Sequence, residues 1–242
     1  MMKTAQWIAL VPILVLQAAP AWAFRFSPMV AELSPQGQKS SQTFLVENNG
    51  DARVALQLEL FKRTADEDGI EKRVITEDLS VFPQQLTLEP GAQRNIKVSW
   101  VGGAAIDSER PYRLVVTQLP VDFAKIKGPG AKPGVNLNFL LQYVASLYVV
   151  PPQAKARVVV ASIARLEGGS LKVALTNAGN AHQLLRGMRL RIGPGKSEVS
   201  ADQLKILESD NLLPGASRSF TVTLPLPLPT GALAGTAEFP PS

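Results

Sequence analysis

The sequence of 242 residues contains no cysteine and a single histidine, His182. Without cysteine the chain cannot form disulfides, so its stability has to come from hydrophobic cores. The sequence has no Gly-x-Ser-x-Gly, no phosphate loop and no His-x-x-Glu-type metal cluster. His182 follows a turn-forming Asn-Ala-Gly-Asn segment, which favours a hydrogen-bonded turn histidine. The sequence therefore predicts no enzyme activity, no metal site and no cofactor.

Charge is also sparse and evenly spread. Lysine and arginine number 25 against 20 acidic residues, with no block of one sign and no interleaved aromatics. This pattern does not predict nucleic-acid binding and argues only weakly for an acidic partner. The acidic run at residues 66–69 lacks the spaced ligands and distal glutamate of a calcium loop, which favours a solvated hairpin turn.

The N-terminus has the features of an export signal. Lys3 precedes an apolar run at residues 8–16, and Ala21-Trp22-Ala23 supplies small residues at the spacing that signal peptidase recognises. The run is too short to span a bilayer, and no later stretch is long enough either. We therefore expect a cleaved signal peptide at residues 1–23 and a secreted mature chain without an integral membrane segment.

Short alternating segments separated by turns dominate the rest of the chain. Residues 53–61, 94–101 and 112–118 alternate apolar and polar side chains, and no segment shows a sustained helical period. Many short strands at this spacing are typical of immunoglobulin-type β-sandwiches. The predicted fold class is all-β, with two tandem immunoglobulin-like β-sandwich domains.

Two internal echoes support the pair of domains. Residues 88–98 (LEPGAQRNIKV) return at 212–222 (LLPGASRSFTV), and residues 44–50 (FLVENNG) return at 173–179 (VALTNAG). Both echoes occur in the same order at nearly the same offset, although Pro-Gly and Asn-x-Gly turns are also common by chance. Pro151-Pro152 is the predicted linker. The predicted domains are residues 24–150 and 151–242, each of roughly 100 residues.

Residues 135–150 form the most informative segment. Their odd-numbered side chains are apolar from Val135 to Val149, whereas the other face begins with Asn136 and Asn138. A strand of this length is about three times the usual one, so it is predicted to extend past its own sheet. An unpaired apolar strand invites aggregation unless another chain covers it. The alternative is a long core strand that bends at a bulge.

Six segments occur in a characteristic order along the chain. They are FSPMVAEL at 26–33, NNG at 48–50, FP with LTLEPG at 82–83 and 86–91, ERPYRL with LP at 109–114 and 119–120, LQ to P at 141–151, and NAGNAH at 177–182. Together they resemble the periplasmic chaperones of the chaperone–usher pilus pathway, the PapD-like two-domain proteins. The last segment is similar to the branch that assembles thin, archaic-type pili.

The resemblance implies a templating mechanism in the periplasm. Pilus subunits of this pathway are sandwiches that lack their last strand, and the chaperone lends its long strand to the gap by donor-strand complementation. The implied partners are pilus or fimbrial subunits and an outer-membrane usher, and a self-capping dimer of the free protein stays open. The matching donor side chains are Val135, Leu137, Phe139 and Leu141.

The chain departs from the best-known members at the carboxylate anchor. Those members hold the C-terminal carboxylate of the subunit with a basic pair, and the aligned positions here are Val30 and Ser146. Arg113 is the candidate anchor, with Arg25 and Arg110 as substitutes, because a guanidinium can bind a carboxylate through two hydrogen bonds. A surface arginine at a strand end is the alternative. We expect the guanidinium of Arg113 to be solvated in the free protein.

Three other classes stay open from the sequence. A pilus structural subunit or adhesin would begin with a donor extension and form one incomplete sandwich. A periplasmic ligand-binding sandwich would need an aromatic-lined cleft, and only 6% of the residues are aromatic. An enzyme would need a catalytic constellation, which the motif inventory does not supply.

Overall fold

The computed structural model describes residues 24–121, 140–195, 197–225 and 230–240. The predicted signal peptide at 1–23 and the predicted donor residues Val135, Leu137 and Phe139 lie outside these ranges. Strands dominate the described residues, and the one α-helix there, α1, covers Ala201–Leu204. Within the same ranges, no helix is long and apolar enough to cross a membrane.

Among the described residues, ten strands in two facing sheets form the N-terminal part. The strands are β1 Phe24–Ser27, β2 Val30–Leu33, β3 Ser41–Asn48, β4 Val54–Ala65, β5 Glu71–Ile75, β6 Leu79–Phe82, β7 Gln85–Leu88, β8 Gln93–Trp100, β9 Arg110–Gln118 and β10 Gln142–Val149. The first sheet has the order β1-β3-β8-β6. The second has the order β2-β10-β9-β4-β5, and β7 pairs with β4. All pairings are antiparallel except β2 with β10, which is parallel.

A single hydrophobic core fills the space between these two sheets. Because strand side chains alternate between the two faces, the strands that face the core contribute about every second residue to it. In β3 these are Phe44 and Val46, and in β9 they are Tyr112, Leu114 and Val116, all fully buried. The alternation predicted for residues 94–101 and 112–118 is thus observed, and the sandwich prediction is confirmed.

The FSPMVAEL segment at residues 26–33 is divided between the two sheets. In the structure, β1 pairs with β3 in the first sheet, whereas β2 pairs with β10 in the second. The chain crosses from one sheet to the other at Ser27-Pro28, where proline removes a backbone donor and ends the first ladder.

In the C-terminal part, the described residues form eight strands. They are β11 Val158–Arg165, β12 Ser170–Asn177, β13 Gln183–Leu184, β14 Arg189–Ile192, β15 Ser197–Glu198, β16 Asn211–Leu212, β17 Ser217–Thr223 and β18 Gly235–Glu238. They pair as β11-β12-β17, β13-β16 and β15-β14-β18. Leu171, Val173 and Leu175 from β12 pack with Leu190 and Ile192 from β14 in a second core.

Two buried asparagines show that the internal echo is structural. Asn48 ends β3, accepts a hydrogen bond from the backbone N–H two residues on at 3.0 Å, and donates to the carbonyl of Leu88 at 3.1 Å. Asn177 ends β12 and does the same, with the corresponding bonds at 3.0 Å and the carbonyl acceptor on Leu212. Each asparagine closes its turn and ties it to the second echo segment.

The Pro-Gly turns of the two echoes are equivalent as well. Gly91 and Gly215 have φ of 72° and 73°, a conformation that glycine adopts without steric cost. The N–H of Gly91 donates to the carbonyl of Asn48 at 2.8 Å, and that of Gly215 donates to the carbonyl of Asn177 at 2.9 Å. The same contact network therefore occurs once in each half of the chain.

The two cores fall on opposite sides of the predicted linker. The first core is built from residues 24–149 and the second from residues 171–224. Pro151 and Pro152 lie between them. The boundary between residues 150 and 151 stays a prediction with which this distribution agrees.

Candidate functional site

One edge of β10 is open along the first half of the strand. β10 pairs with β9 over its whole length, but β2 reaches back only to Ser146, whose N–H donates to the carbonyl of Met29 at 2.9 Å. Among the described residues, no strand pairs with the outer edge of residues 142–145. The outward backbone groups of Gln142 and Val144 are therefore available to a strand from another chain.

Leu141 shows where the row of predicted donor side chains joins the sheet. Its carbonyl accepts from the N–H of Gln118 at 2.9 Å, so the pairing with β9 extends to this residue. Its side chain is partly buried against the N-terminal core, in the same row as Tyr143 and Ala145. Of the four predicted donor residues, Leu141 is thus the one seen in the structure, and it is anchored in the core of its own domain.

Arg113 lies directly beside the two non-basic positions that the sequence analysis singled out. It is paired with Ser146 across β9 and β10, and Ser146 is paired with Val30 across β10 and β2. Its neighbours Tyr112 and Leu114 are fully buried, so Arg113 faces away from the core. The positive charge of Arg113 therefore lies on β9, one strand further into the sheet than Ser146 and two strands further than Val30.

The expectation that the guanidinium of Arg113 is solvated was wrong. The side chain is only 15% exposed. Its Nε donates to both carboxylate oxygens of Glu71, at 3.2 and 3.0 Å, and Nη2 donates to Glu71 Oε2. Its Nη1 donates to the hydroxyl of Ser146. The register of the sheet brings these partners together, because β5 and β9 both pair with β4.

Glu71 is the centre of a cluster of three arginines. Besides Arg113, its carboxylate contacts Arg63 Nε at 2.7 Å and Arg73 Nε at 2.5 Å. Burial alone would raise the pKa of the Glu71 carboxyl, but hydrogen bonds from Arg113 and Arg73 and the charges of Arg113 and Arg63 lower it from 4.5 to about 2. One carboxylate is thus in contact with three guanidinium groups.

Arg63 connects this cluster to the C-terminal part. Its Nη1 donates to the hydroxyl of Tyr148 at 3.4 Å, and the same hydroxyl accepts from Asn211 Nδ2 at 2.7 Å. Burial and then the charge of Arg113 lower the pKa of Arg63 from its usual value. A cavity of about 170 Å³ adjoins Arg63, Glu71 and Asn211. The arginine cluster therefore borders a cleft between the two parts of the molecule.

The two substitute anchors lie elsewhere. Arg25 is on β1 in the other sheet, where its largely exposed side chain is 3.9 Å from Glu47. Arg110 begins β9 and lies over the ring of Trp100, with 5.7 Å to the ring centroid. Of the three predicted anchor residues, Arg113 alone belongs to the cluster around Glu71, and it lies across β10 from the open edge.

Two of the motifs identified in the sequence meet at the junction between the parts. Glu109 is 4% exposed, and its carboxylate lies 2.8 Å from Nδ1 of His182. The imidazole stacks on the ring of Tyr148, with 4.1 Å between centroids. The N–H of Glu109 donates to the carbonyl of Asn180 at 2.9 Å. His182 is hydrogen-bonded as the sequence predicted, but its partner is 73 residues away.

Sequence reasoning missed Glu71 and Arg63. The signal that could have found them is the predicted hairpin turn at residues 66–69, because a hairpin pairs the strands on its two sides. In the structure the turn is held by Asp66 Oδ1, which accepts from the N–H groups of Asp68 at 3.1 Å and Ile70 at 2.9 Å. Arg63 pairs with Arg73 across the hairpin.

Among the described residues, no group of three or more His, Asp or Glu side chains could hold a metal ion.

Comparison with known proteins gives a family and a fold. Residues 30–155, slightly more than half of the chain, match the family model for the pili and flagellar-assembly chaperone, PapD N-terminal domain. No curated protein sequence gives a significant match.

Three solved structures are similar to most of this chain. The class 5 fimbriae chaperone CfaA has a TM-score of 0.57 and 15% identity, covering 90% of this chain and 100% of that one. A chain of the CsuC–CsuE chaperone–tip adhesion subunit complex from archaic Csu pili of Acinetobacter baumannii has a TM-score of 0.55 and 14% identity, covering 82% and 89%. The E. coli chaperone DraB has a TM-score of 0.50 and 20% identity, covering 85% and 86%.

At these identities the structures establish the fold, which is the two-domain all-β fold predicted from the sequence. The match to the family model establishes the family: this chain belongs to the PapD-type pilus-assembly chaperones.

Proposed function

We propose that this protein captures pilus subunits in the periplasm by donor-strand complementation and delivers them to an outer-membrane usher. The observation that carries the proposal is the open outer edge of β10 at residues 142–145, which ends one residue before Ser146, the partner of Arg113. An open edge offers main-chain hydrogen bonds to an added strand. The family membership supports subunits of pili as the source of that strand.

The apolar row before β10 would supply most of the binding free energy. We propose that Val135, Leu137 and Phe139 enter the open groove of the subunit, and that Leu141 joins this row to the chaperone core. Burial of each such side chain contributes roughly 1.5–3 kcal/mol. A slip of one residue would place Asn136 or Asn138 in the groove instead, so the side-chain alternation fixes the register.

Arg113 is the proposed anchor for the C-terminal carboxylate of the subunit. It lies in the same row of the sheet as Ser146, which follows the open stretch of β10. Arg25 and Arg110 point to other surfaces, so they are poorer candidates. A subunit strand that runs along β10 would bring its end to this row, where a guanidinium binds a carboxylate with directional hydrogen bonds.

Replacement of Val144 by proline tests the edge directly. Outward N–H groups alternate along β10, as the bond from Ser146 to Met29 shows, so the N–H of Val144 points away from β9. Proline there removes an edge donor while it spares the bonds to β9. Val144→Pro should abolish capture of a co-expressed pilus subunit in a periplasmic pull-down, and Val144→Ala is the matched control. Normal capture by the folded proline variant would contradict strand addition at this edge.

Replacement of Phe139 by aspartate tests the donor row. A charge in an apolar groove is costly, so Phe139→Asp should abolish capture with little effect on thermal stability or export. Asn138→Ala, on the opposite face, is the control and should capture normally. Loss of the aspartate variant from the periplasm would instead place Phe139 in the core of this protein.

Delivery to an usher and dimerisation of the free protein would both involve the open edge of β10. Delivery to an usher requires that the subunit stays bound until a new partner replaces the chaperone. Dimerisation of the free protein through two open β10 edges would protect them before a subunit arrives. Sedimentation of the free protein and of Val144→Pro measures this, since a dimer built on the edge should be lost in the variant.

A further inference from the structure

Glu71 is set apart from the rest of its strand. β5 is an edge strand, and its other four residues are exposed, whereas Glu71 is turned toward the arginine cluster and its side chain is only 19% exposed. Its carboxylate contacts three guanidinium groups, and Arg63 and Arg113 both meet the same oxygen, Oε2. A position on an edge strand does not by itself require a carboxylate that contacts three arginines, so these contacts point to a role for the side chain.

The bonds to Glu71 occupy only part of Arg113. Nε and Nη2 donate to the carboxylate, and Nη1 donates to the hydroxyl of Ser146. A guanidinium carries five N–H donors, so bonds to the described residues leave two of them for another acceptor. With Glu71 on one side and Ser146 on the other, the plane of the guanidinium is fixed relative to β10.

The cluster also keeps a surplus of positive charge. Three arginines surround one carboxylate, and the side chains of Arg63 and Arg113 are only 11% and 15% exposed. Two sparsely solvated guanidinium groups repel each other unless an anion lies between them. The carboxylate of Glu71 supplies that anion, and the net charge that is left still attracts a second one.

We propose that Glu71 is a positioning residue for client capture: it holds Arg63 and Arg113 together so that Arg113 receives the C-terminal carboxylate of a pilus subunit as a second anion. The inference rests on the proposed function and adds a residue to its mechanism. Glu71 stays in place when the subunit binds, and the subunit carboxylate uses donors of Arg113 that Glu71 does not occupy. The arginines are thus arranged before binding, which lowers the entropy that binding has to overcome.

A peptide with and without a terminal charge separates this role from a merely structural one. The probe is the C-terminal 15-residue segment of the subunit that the protein captures, synthesised as the free acid and as the amide. Affinities for the mature full-length protein are measured by calorimetry. Glu71→Gln and Glu71→Ala are compared with Glu198→Gln, which removes an exposed carboxylate that also contacts two arginines.

The wild-type protein and Glu198→Gln should prefer the acid by about tenfold or more, as charged hydrogen bonds imply. Both Glu71 variants should bind the amide normally but lose most of that preference. Equal weakening of acid and amide would show a structural role only and overturn the proposal. Tighter acid binding by Glu71→Gln would also overturn it, because Glu71 would then compete with the client.

The wild-type result tests the anchor separately. If wild type binds acid and amide equally, the carboxylate anchor and the role of Glu71 both fail. Capture of the intact subunit by the same protein preparation would still support donor-strand addition. Failure of the inference and failure of the proposed function therefore give different results.

Discussion

The ionisation of Glu71 predicts a specific change of stability with pH. The pKa of its carboxyl is about 2 in the folded protein, whereas the ordinary value is 4.5. A carboxyl whose pKa is lowered by folding stabilises the folded state above its unfolded pKa, and this contribution is lost as the pH falls toward the folded value. The stabilisation from Glu71 should therefore be complete at neutral pH and decline below about pH 4.5.

The size of the effect follows from the shift and the environment. The full difference in pKa would correspond to roughly 3 kcal/mol, but the carboxylate is partly solvated, which weakens its ion pairs. We expect Glu71→Gln to lower the free energy of unfolding by about 1–2 kcal/mol at neutral pH. At about pH 3 more than half of this difference should be gone, because the carboxyl is by then almost fully protonated in the unfolded chain and the contribution vanishes as the pH approaches the folded value of about 2.

Urea unfolding of wild type and Glu71→Gln from neutral pH to about pH 3 measures this difference, since other titrating groups contribute equally to both proteins. Glu198→Gln is the control, because its carboxylate is exposed and its removal should leave stability unchanged. A difference between wild type and Glu71→Gln that stays constant with pH would refute the argument. It would mean that the side chain stabilises the protein by packing and not by its charge.

Two further predictions concern residues that the sequence analysis identified. Arg113→Ala should abolish subunit capture, and Arg113→Lys should capture clearly less because lysine cannot form the two-pronged contact. Both variants should lower the melting temperature because Glu71 loses a partner. Unchanged capture by Arg113→Ala would remove Arg113 as the anchor. Asn177→Ala should destabilise the protein by about 2–4 kcal/mol, because it leaves buried backbone groups such as the carbonyl of Leu212 without partners. A loss in chemical denaturation as small as that of an exposed alanine substitution would contradict the role of Asn177.

The sequence by itself determined the local structure. Side-chain alternation depends only on the two-residue repeat of a strand, so β8 and β9 could be located from residue type. The Asn-x-Gly and Pro-Gly turns were predictable for the same reason, because asparagine bonds to backbone two residues on and glycine tolerates positive φ. The repetition of both turns then predicted two similar sandwiches.

The tertiary structure decided which charges meet. Arg113 and Glu71 are 42 residues apart, and Glu109 and His182 are 73 apart. No local pattern encodes such distances, because they depend on which strands become neighbours and in which register. The same holds for the division of residues 26–33 between two sheets, since a four-residue strand carries no sign of the sheet that it will join. Arg113 could be proposed from its strand, but the carboxylate that holds it became apparent only when β4, β5 and β9 were aligned in one sheet.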